Sequence, residues 1–73
     1  MKLNNLGSNK TEVVSDGKTI FFSYNTPVAA IVNGEVFKTS KHWSVTTSKH
    51  INQWLDGIQA ESKEQTFFDN LIK

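Results

Sequence analysis

Two dipeptides, Asp16-Gly17 and Asn33-Gly34, constrain this chain more than any other feature. Thr11 to Ser15 and Lys18 to Tyr24 flank the first, Val28 to Val32 and Glu35 to Thr39 the second, all runs rich in β-branched or apolar residues. Asn or Asp followed by Gly suits the type I′ turn, whose central residues need positive φ and whose twist matches that of the strands it joins. Two hairpins are therefore expected, each with its register set by its turn. In the first, Val13 faces Ile20 and Thr11 faces Phe22, while Val14 stands with Thr19 and Glu12 with Phe21 on the opposite face. In the second, Ile31 and Val36 share one face, and Val32, Ala30 and Phe37 the other. Apolar residues on both faces predict a sheet covered by helices on one side and by something else on the other. Between the hairpins, Asn25-Thr26-Pro27 bends the chain, because Pro27 fixes its own φ and disfavours helical geometry at Thr26. Leu3 to Lys10 is a weak strand or an arm.

The period changes after residue 45. Ile51, Trp54, Leu55 and Ile58 recur at i, i+3, i+4 and i+7, on one face of a helix over about 47–58. Thr47 or Ser48 is placed to cap its start, and Gly57 weakens it near its end. Ser62-Lys63-Glu64-Gln65 has the spacing of a capping box, and Phe67, Phe68, Leu71 and Ile72 line one side of a second helix over about 62–72. The expected fold is α+β: an antiparallel four- to five-stranded β-meander over about 3–45, followed by a C-terminal helical hairpin, in one domain spanning residues 1–73.

A 73-residue domain buries only about 60% of its unfolded surface and has little volume for a deep active site. Its core must come from five Phe, two Trp, one Tyr and the aliphatics, or be supplemented by a partner chain, which leaves a homodimer open. With no cysteine, disulfides and thiolate metal sites are removed, and a reducing cytoplasm is compatible. The longest unbroken apolar stretch, Val28 to Val32, falls far short of the roughly 20 residues that span a bilayer, and the start of the chain carries no apolar signal segment. A soluble, unexported protein with no membrane partner is expected.

Charge is nearly balanced, at +1, and gives no general attraction to nucleic acid or anionic membranes. Its distribution is uneven. Lys38, Lys41, His42, Lys49 and His50 lie between Glu35 and Asp56 with no acid among them, whereas Asp56, Glu61, Glu64 and Asp69 make the C-terminal segment acidic.

The tetrapeptide Thr-Ser-Lys-His occurs in this basic region twice, at Thr39 to His42 and at Thr47 to His50. The first copy ends a strand and the second starts a helix, so their local structures differ and a structural repeat is not expected. A metal held by His42 and His50 needs further ligands, and the only nearby acids, Glu35 and Asp56, stand at no recognisable metal spacing. Thr46, Thr47, Ser48 and Lys49 at a helix start bring amide donors, hydroxyls and a cation together, which suits an anion as well as a solvated helix start. Ser15-Asp16-Gly17-Lys18 matches Ser-x-x-Lys but occupies a hairpin turn. No phosphate-cradling glycine loop, paired-His helix or nucleophile elbow is present. The expectation is therefore no enzyme, no metal and no cofactor.

Binding remains. Lys38, Lys41, Lys49, His42, His50 and Trp43 combine cations with a stacking aromatic, as weak nucleic-acid binders do. Against that, the chain has no Arg, and three lysines neutralise only about three phosphates. Protein binding is the stronger expectation, with Trp43, Phe67 and Phe68, or Phe21 and Phe22, as aromatic anchors.

Three segments carry a family resemblance: Leu6-Gly7-Ser8-Asn9, Ser23-Tyr24-Asn25-Thr26-Pro27-Val28-Ala29, and Trp43-Ser44-Val45-Thr46-Thr47-Ser48-Lys49-His50-Ile51 with Trp54-Leu55. Over about residues 6–55 the chain resembles a family of small bacteriophage-encoded proteins of unknown function. The resemblance implies a viral accessory protein in the bacterial host cytoplasm and supplies no catalytic residues. It also implies that the acidic helix from Ser62 onward is an addition to the family pattern. The expected function is non-catalytic binding that inhibits or redirects a host or host-defence protein; a weak nucleic-acid binder and a minor virion or assembly component are the alternatives.

Overall fold

Both Asx-Gly pairs form the turns expected of them. In a computed structural model that describes residues 2–7 and 9–71, Asp16 and Gly17 have φ of 47° and 77°, and Asn33 and Gly34 have φ of 51° and 84°. These are the paired positive values of a type I′ turn. They join β2 (Lys10–Ser15) to β3 (Lys18–Ser23) and β4 (Thr26–Val32) to β5 (Glu35–Thr39). The first register is the expected one, with Val13 opposite Ile20, Thr11 opposite Phe22 and Glu12 opposite Phe21. In the second, Ile31 faces Val36 and Ala30 faces Phe37. The weak N-terminal segment is a strand, β1 (Lys2–Gly7), paired antiparallel to β2.

The link between the hairpins differs from expectation. The turn is Tyr24-Asn25, and Thr26 and Pro27 open β4 instead of bending the chain. Phe22 pairs with Pro27 while Phe21 pairs with Ala29, so Val28 is the extra residue of a bulge. Pro27 is tolerated there because it sits near the strand's start beside the bulge, where the ladder is already interrupted.

The larger correction concerns the C-terminal third. The two helices do not form a hairpin. After α1 (Val45–Leu55) the chain returns to the sheet as β6 (Glu61–Lys63), which runs parallel to β5, and only then forms α2 (Gln65–Leu71). The sheet therefore has six strands in the order β1-β2-β3-β4-β5-β6, and α1 is the crossover that a parallel pair requires. The capping box is absent because Ser62 is a β6 residue opposite Lys38.

This connection explains the apolar residues on both sheet faces. Neighbours along a strand point to opposite faces: Phe21 packs with Val28, Ala29, Ile51 and Leu55 beneath α1, whereas Ile20 packs with Ala30, Phe37 and Phe68 beneath α2. Each face has its own helix. Phe21 also stacks on Trp54 at 5.1 Å, and Phe67 lies 5.1 Å from both Phe37 and Phe68. The accessible surface, 4744 Å², is close to the roughly 4500 Å² expected of a folded monomer of this mass.

Helix α1 starts earlier and ends earlier than the sequence suggests. Its cap is Ser44, in extended backbone, whose Oγ accepts from the Thr47 N–H at 3.1 Å; Thr47 and Ser48 lie in the first turn. It ends where Asp56 turns left-handed (φ 49°), followed by Gly57 at φ 83°. Ile58 thus leaves the apolar face and stands 56% exposed. On α2, Leu71 packs against the Ile20 cluster; Ile72, expected on the same face, lies outside the described residues, as does Ser8. Ser44→Ala is expected to cost about 1 kcal/mol through loss of the cap, whereas exposed Ser62 should change stability by no more than about 0.5 kcal/mol when replaced by Ala. Urea unfolding of the two variants distinguishes this helix-start assignment from the capping box.

Candidate functional site

The repeated Thr-Ser-Lys-His resolves into two unrelated structural devices. Thr47 and His50, three residues apart on α1, both face Ser23 at the end of β3. Ser23 Oγ donates to Thr47 Oγ1 at 3.2 Å and lies 2.9 Å from His50 Nδ1; Ser44 Oγ donates to the same Thr47 oxygen at 3.2 Å. Ser23 and His50 share one hydrogen bond, whose direction follows the tautomer of the ring. A Ser-His contact is where nucleophilic catalysis begins, but Ser23 is 1% exposed and its hydroxyl is also shared with Thr47. The arrangement is a polar clip holding α1 on β3, and it satisfies hydroxyls that would be costly to bury alone.

The first copy is assembled differently. Thr39, buried at the end of β5, donates from Oγ1 to Gln65 Oε1 at 2.8 Å and accepts the Lys41 N–H at 3.2 Å. Lys41 folds its ammonium over the Trp43 ring, 4.1 Å from the centroid, and His42 is exposed.

Gln65 is the hub of the second device. Its Oε1 accepts from Thr39 and from Trp43 Nε1 at 3.1 Å, while its Nε2 donates to the Pro27 carbonyl at 2.7 Å and to Asp69 Oδ1 at 3.2 Å. One amide thus ties α2 to β4, β5 and the segment leading into α1. Its consequence at the surface is a fixed tryptophan: Trp43, 41% exposed, is anchored at its indole nitrogen by Gln65 and covered by Lys41.

Tyr24 stands across a small recess from Trp43. The recess, about 210 Å³, is lined by Ser23, Tyr24, Thr26, Val28, Trp43, Ser44 and Thr47, so the buried hydroxyls of the α1 clip form part of its wall between two aromatics. Tyr24 is 49% exposed, lies 6.0 Å from the His50 ring and has φ of 58°. The other non-glycine residues with positive φ are Asn9, Asp16, Asn33 and Asp56, the short polar types that tolerate such backbone. Tyr24 alone is bulky, and it is half-exposed, with its ring against that of His50. Val45, the next exposed apolar residue, stands 71% exposed at the start of α1.

The residues singled out from sequence divide accordingly. Lys41, His42, Trp43, Thr46 and Lys49 are exposed on the segment entering α1 and on its outer side. Thr47, Ser48 and His50 are buried or half-buried, and Thr47 and His50 form the clip. Lys38 lines a separate groove with Leu55, Ile58 and Ala60, at the other end of α1. Phe68 is fully buried and Phe67 packs on Phe37, so both serve the core beneath α2. Among the described residues, no three His, Cys, Asp or Glu side chains gather as a metal site would need. A second, more open recess of about 430 Å³ lies against Trp54, Phe21 and His50. There Glu12 accepts from Trp54 Nε1 at 2.9 Å and from Asn4 at 3.1 Å, and Lys10 donates to Gln53 at 3.3 Å.

Sequence reasoning missed Tyr24 and Gln65. The sequence reading ends a strand at Tyr24, and the turn that holds it is set by the β3–β4 pairing rather than by Asp16-Gly17. Gln65 carried no signal, because its partners are 22, 26 and 38 residues away.

No helix among the described residues is long and apolar enough to cross a membrane. No curated protein and no solved structure matches the chain. A family match covers residues 1–70, under the description "Family of unknown function (DUF8033)". The match includes α2, so the helix after Ser62 is part of the family's domain and not an addition to it. By that coverage, the chain belongs to this family of unknown function.

Proposed function

We propose that this chain is a small phage accessory protein that acts without catalysis, binding a host or host-defence protein in the bacterial cytoplasm and inhibiting or redirecting it. The phage setting rests on the resemblance of Leu6 to Asn9, Ser23 to Ala29, and Trp43 to Ile51 with Trp54-Leu55 to phage-encoded proteins. The binding surface is the recess lined by Tyr24 and Trp43.

The observation that carries this reading is the state of the two aromatics. An exposed Trp held in one orientation by Gln65 and Lys41 loses little side-chain freedom when a partner covers it, as a binding hot spot requires. An exposed Tyr kept at φ 58° costs the fold about 1–2 kcal/mol that Asn or Gly would not. Contact with the His50 ring offsets part of that cost, and contact with a partner offsets the rest.

Affinity capture from bacterial lysate, with and without nuclease and at low and physiological salt, tests the proposal. A stoichiometric protein retained through nuclease and salt is expected, since an aromatic-anchored interface is weakly screened. Recovery that disappears with nuclease, or that collapses steeply with salt, would instead place nucleic acid on Lys41 and Lys49.

A further inference from the structure

We infer that the partner presents an acidic segment carrying one apolar anchor residue, which inserts between Tyr24 and Trp43; this rests on the binding reading above and specifies its chemistry. Size sets the first limit. At about 210 Å³ the recess is below the roughly 300–1,000 Å³ of a small-molecule pocket, and it suits a single side chain.

Chemistry sets the second. No charged residue lines the recess; its walls are two aromatics, Val28 and hydroxyls. A charged side chain placed there would lose hydration without an opposite charge to replace it. An aliphatic or aromatic residue carries no charge to desolvate and packs against Tyr24, Trp43 and Val28.

The third limit is the surrounding charge. From Val36 to Leu55 the chain has no Asp or Glu. Lys41 lies over Trp43, and Lys49 is exposed on α1; these two lysines supply the positive charge. The start of α1, with no acid in its first turn, adds the positive end of its dipole on the same side. Asp69, on α2, is engaged by the Gln65 amide, and no acid lines the recess. Asp and Glu flanking the anchor complement this rim, whereas Lys or Arg there would be repelled.

Titrating the isotope-labelled full chain with synthetic peptides, read by NMR, tests the inference. The probes are Glu-Asp-Glu-Phe-Glu-Asp-Glu, the same peptide with Ala for Phe, and the same peptide with Lys for every acid. The acidic Phe peptide should saturably shift the Trp43 indole signal and the amide signals of Tyr24, Ser44 and Thr47. Its Ala counterpart should bind about tenfold more weakly, and Lys41→Glu with Lys49→Glu should weaken the acidic peptide by a similar factor and favour the lysine peptide. Equal binding of the lysine peptide overturns the inference. So do shifts confined to Trp54 and Gln53, or a single-stranded oligonucleotide that moves the Trp43 signals more tightly than the acidic peptide. If no peptide reaches Trp43 while Trp43→Ala abolishes capture of a protein partner, the acidic segment falls and the binding reading stands. If Trp43→Ala leaves capture unchanged, both fall.

Discussion

Phe68→Ala should destabilise the protein by about 3–5 kcal/mol, the range for removing a fully buried aromatic. Phe68 is 0% exposed and is the one fully buried residue of α2, set against Ile20, Ala30 and Phe37 on the face that α1 does not cover. A domain of 73 residues has about 4–11 kcal/mol of total stability, so the variant should lose a large share of it. Denaturant unfolding followed by tryptophan fluorescence measures this. A loss under about 1 kcal/mol would show α2 to be an accessory to a sheet that is stable without it. That outcome would contradict the family's coverage through residue 70 being read as one folded unit.

The second large effect separates stability from binding. Tyr24→Asn replaces the one bulky residue at positive φ by a type that tolerates it, as at Asn9 and Asn33. Relief of about 1–2 kcal/mol of backbone strain, less the contact with the His50 ring, should leave the variant more stable by about 0.5–1 kcal/mol. The same change removes one wall of the recess and should weaken partner binding by about 2 kcal/mol or more, as truncation of an interface anchor does. Thermal melting and a binding isotherm on one preparation test both halves. A variant that is less stable would show Tyr24 to be a packing residue, its conformation favoured by contacts with His50. One that is more stable and binds normally would move the binding surface elsewhere.

What could be read from the chain tracks how local each determinant is. The hairpins were legible to the residue because Asp16-Gly17 and Asn33-Gly34 determine both turn type and pairing within a few positions. The apolar face of α1 was legible for Ile51, Trp54 and Leu55 but not at its ends, since Ser44 competes with Thr47 and Ser48 as a cap and the left-handed Asp56 ends the helix before Ile58. β6 was illegible. Glu61-Ser62-Lys63 has no apolar alternation, and it becomes a strand only because α1 returns the chain beside β5. With β6 hidden, the helices looked like neighbours in a hairpin, and Phe67 and Phe68 looked free for a partner. In the structure they fill the second face of the sheet.

The site was half legible for the same reason. Lys41, His42, Trp43 and Lys49 announce a basic, aromatic surface in one stretch of chain. Their organisation depends on Ser23, Tyr24, Pro27 and Gln65, which reach them from other elements. Gln65 illustrates the difficulty: its spacing from Ser62 reads as helix-capping chemistry, yet its amide instead joins Thr39, Trp43 and Pro27.

The most direct test is quantitative capture from bacterial lysate by the wild-type chain and by Trp43→Ala in parallel, after nuclease treatment, with unfolding curves confirming that both are folded. The proposed surface predicts a protein retained by the wild type and lost from Trp43→Ala. Equal retention by the two would contradict it, because Trp43 could then be neither an anchor nor a wall of the site.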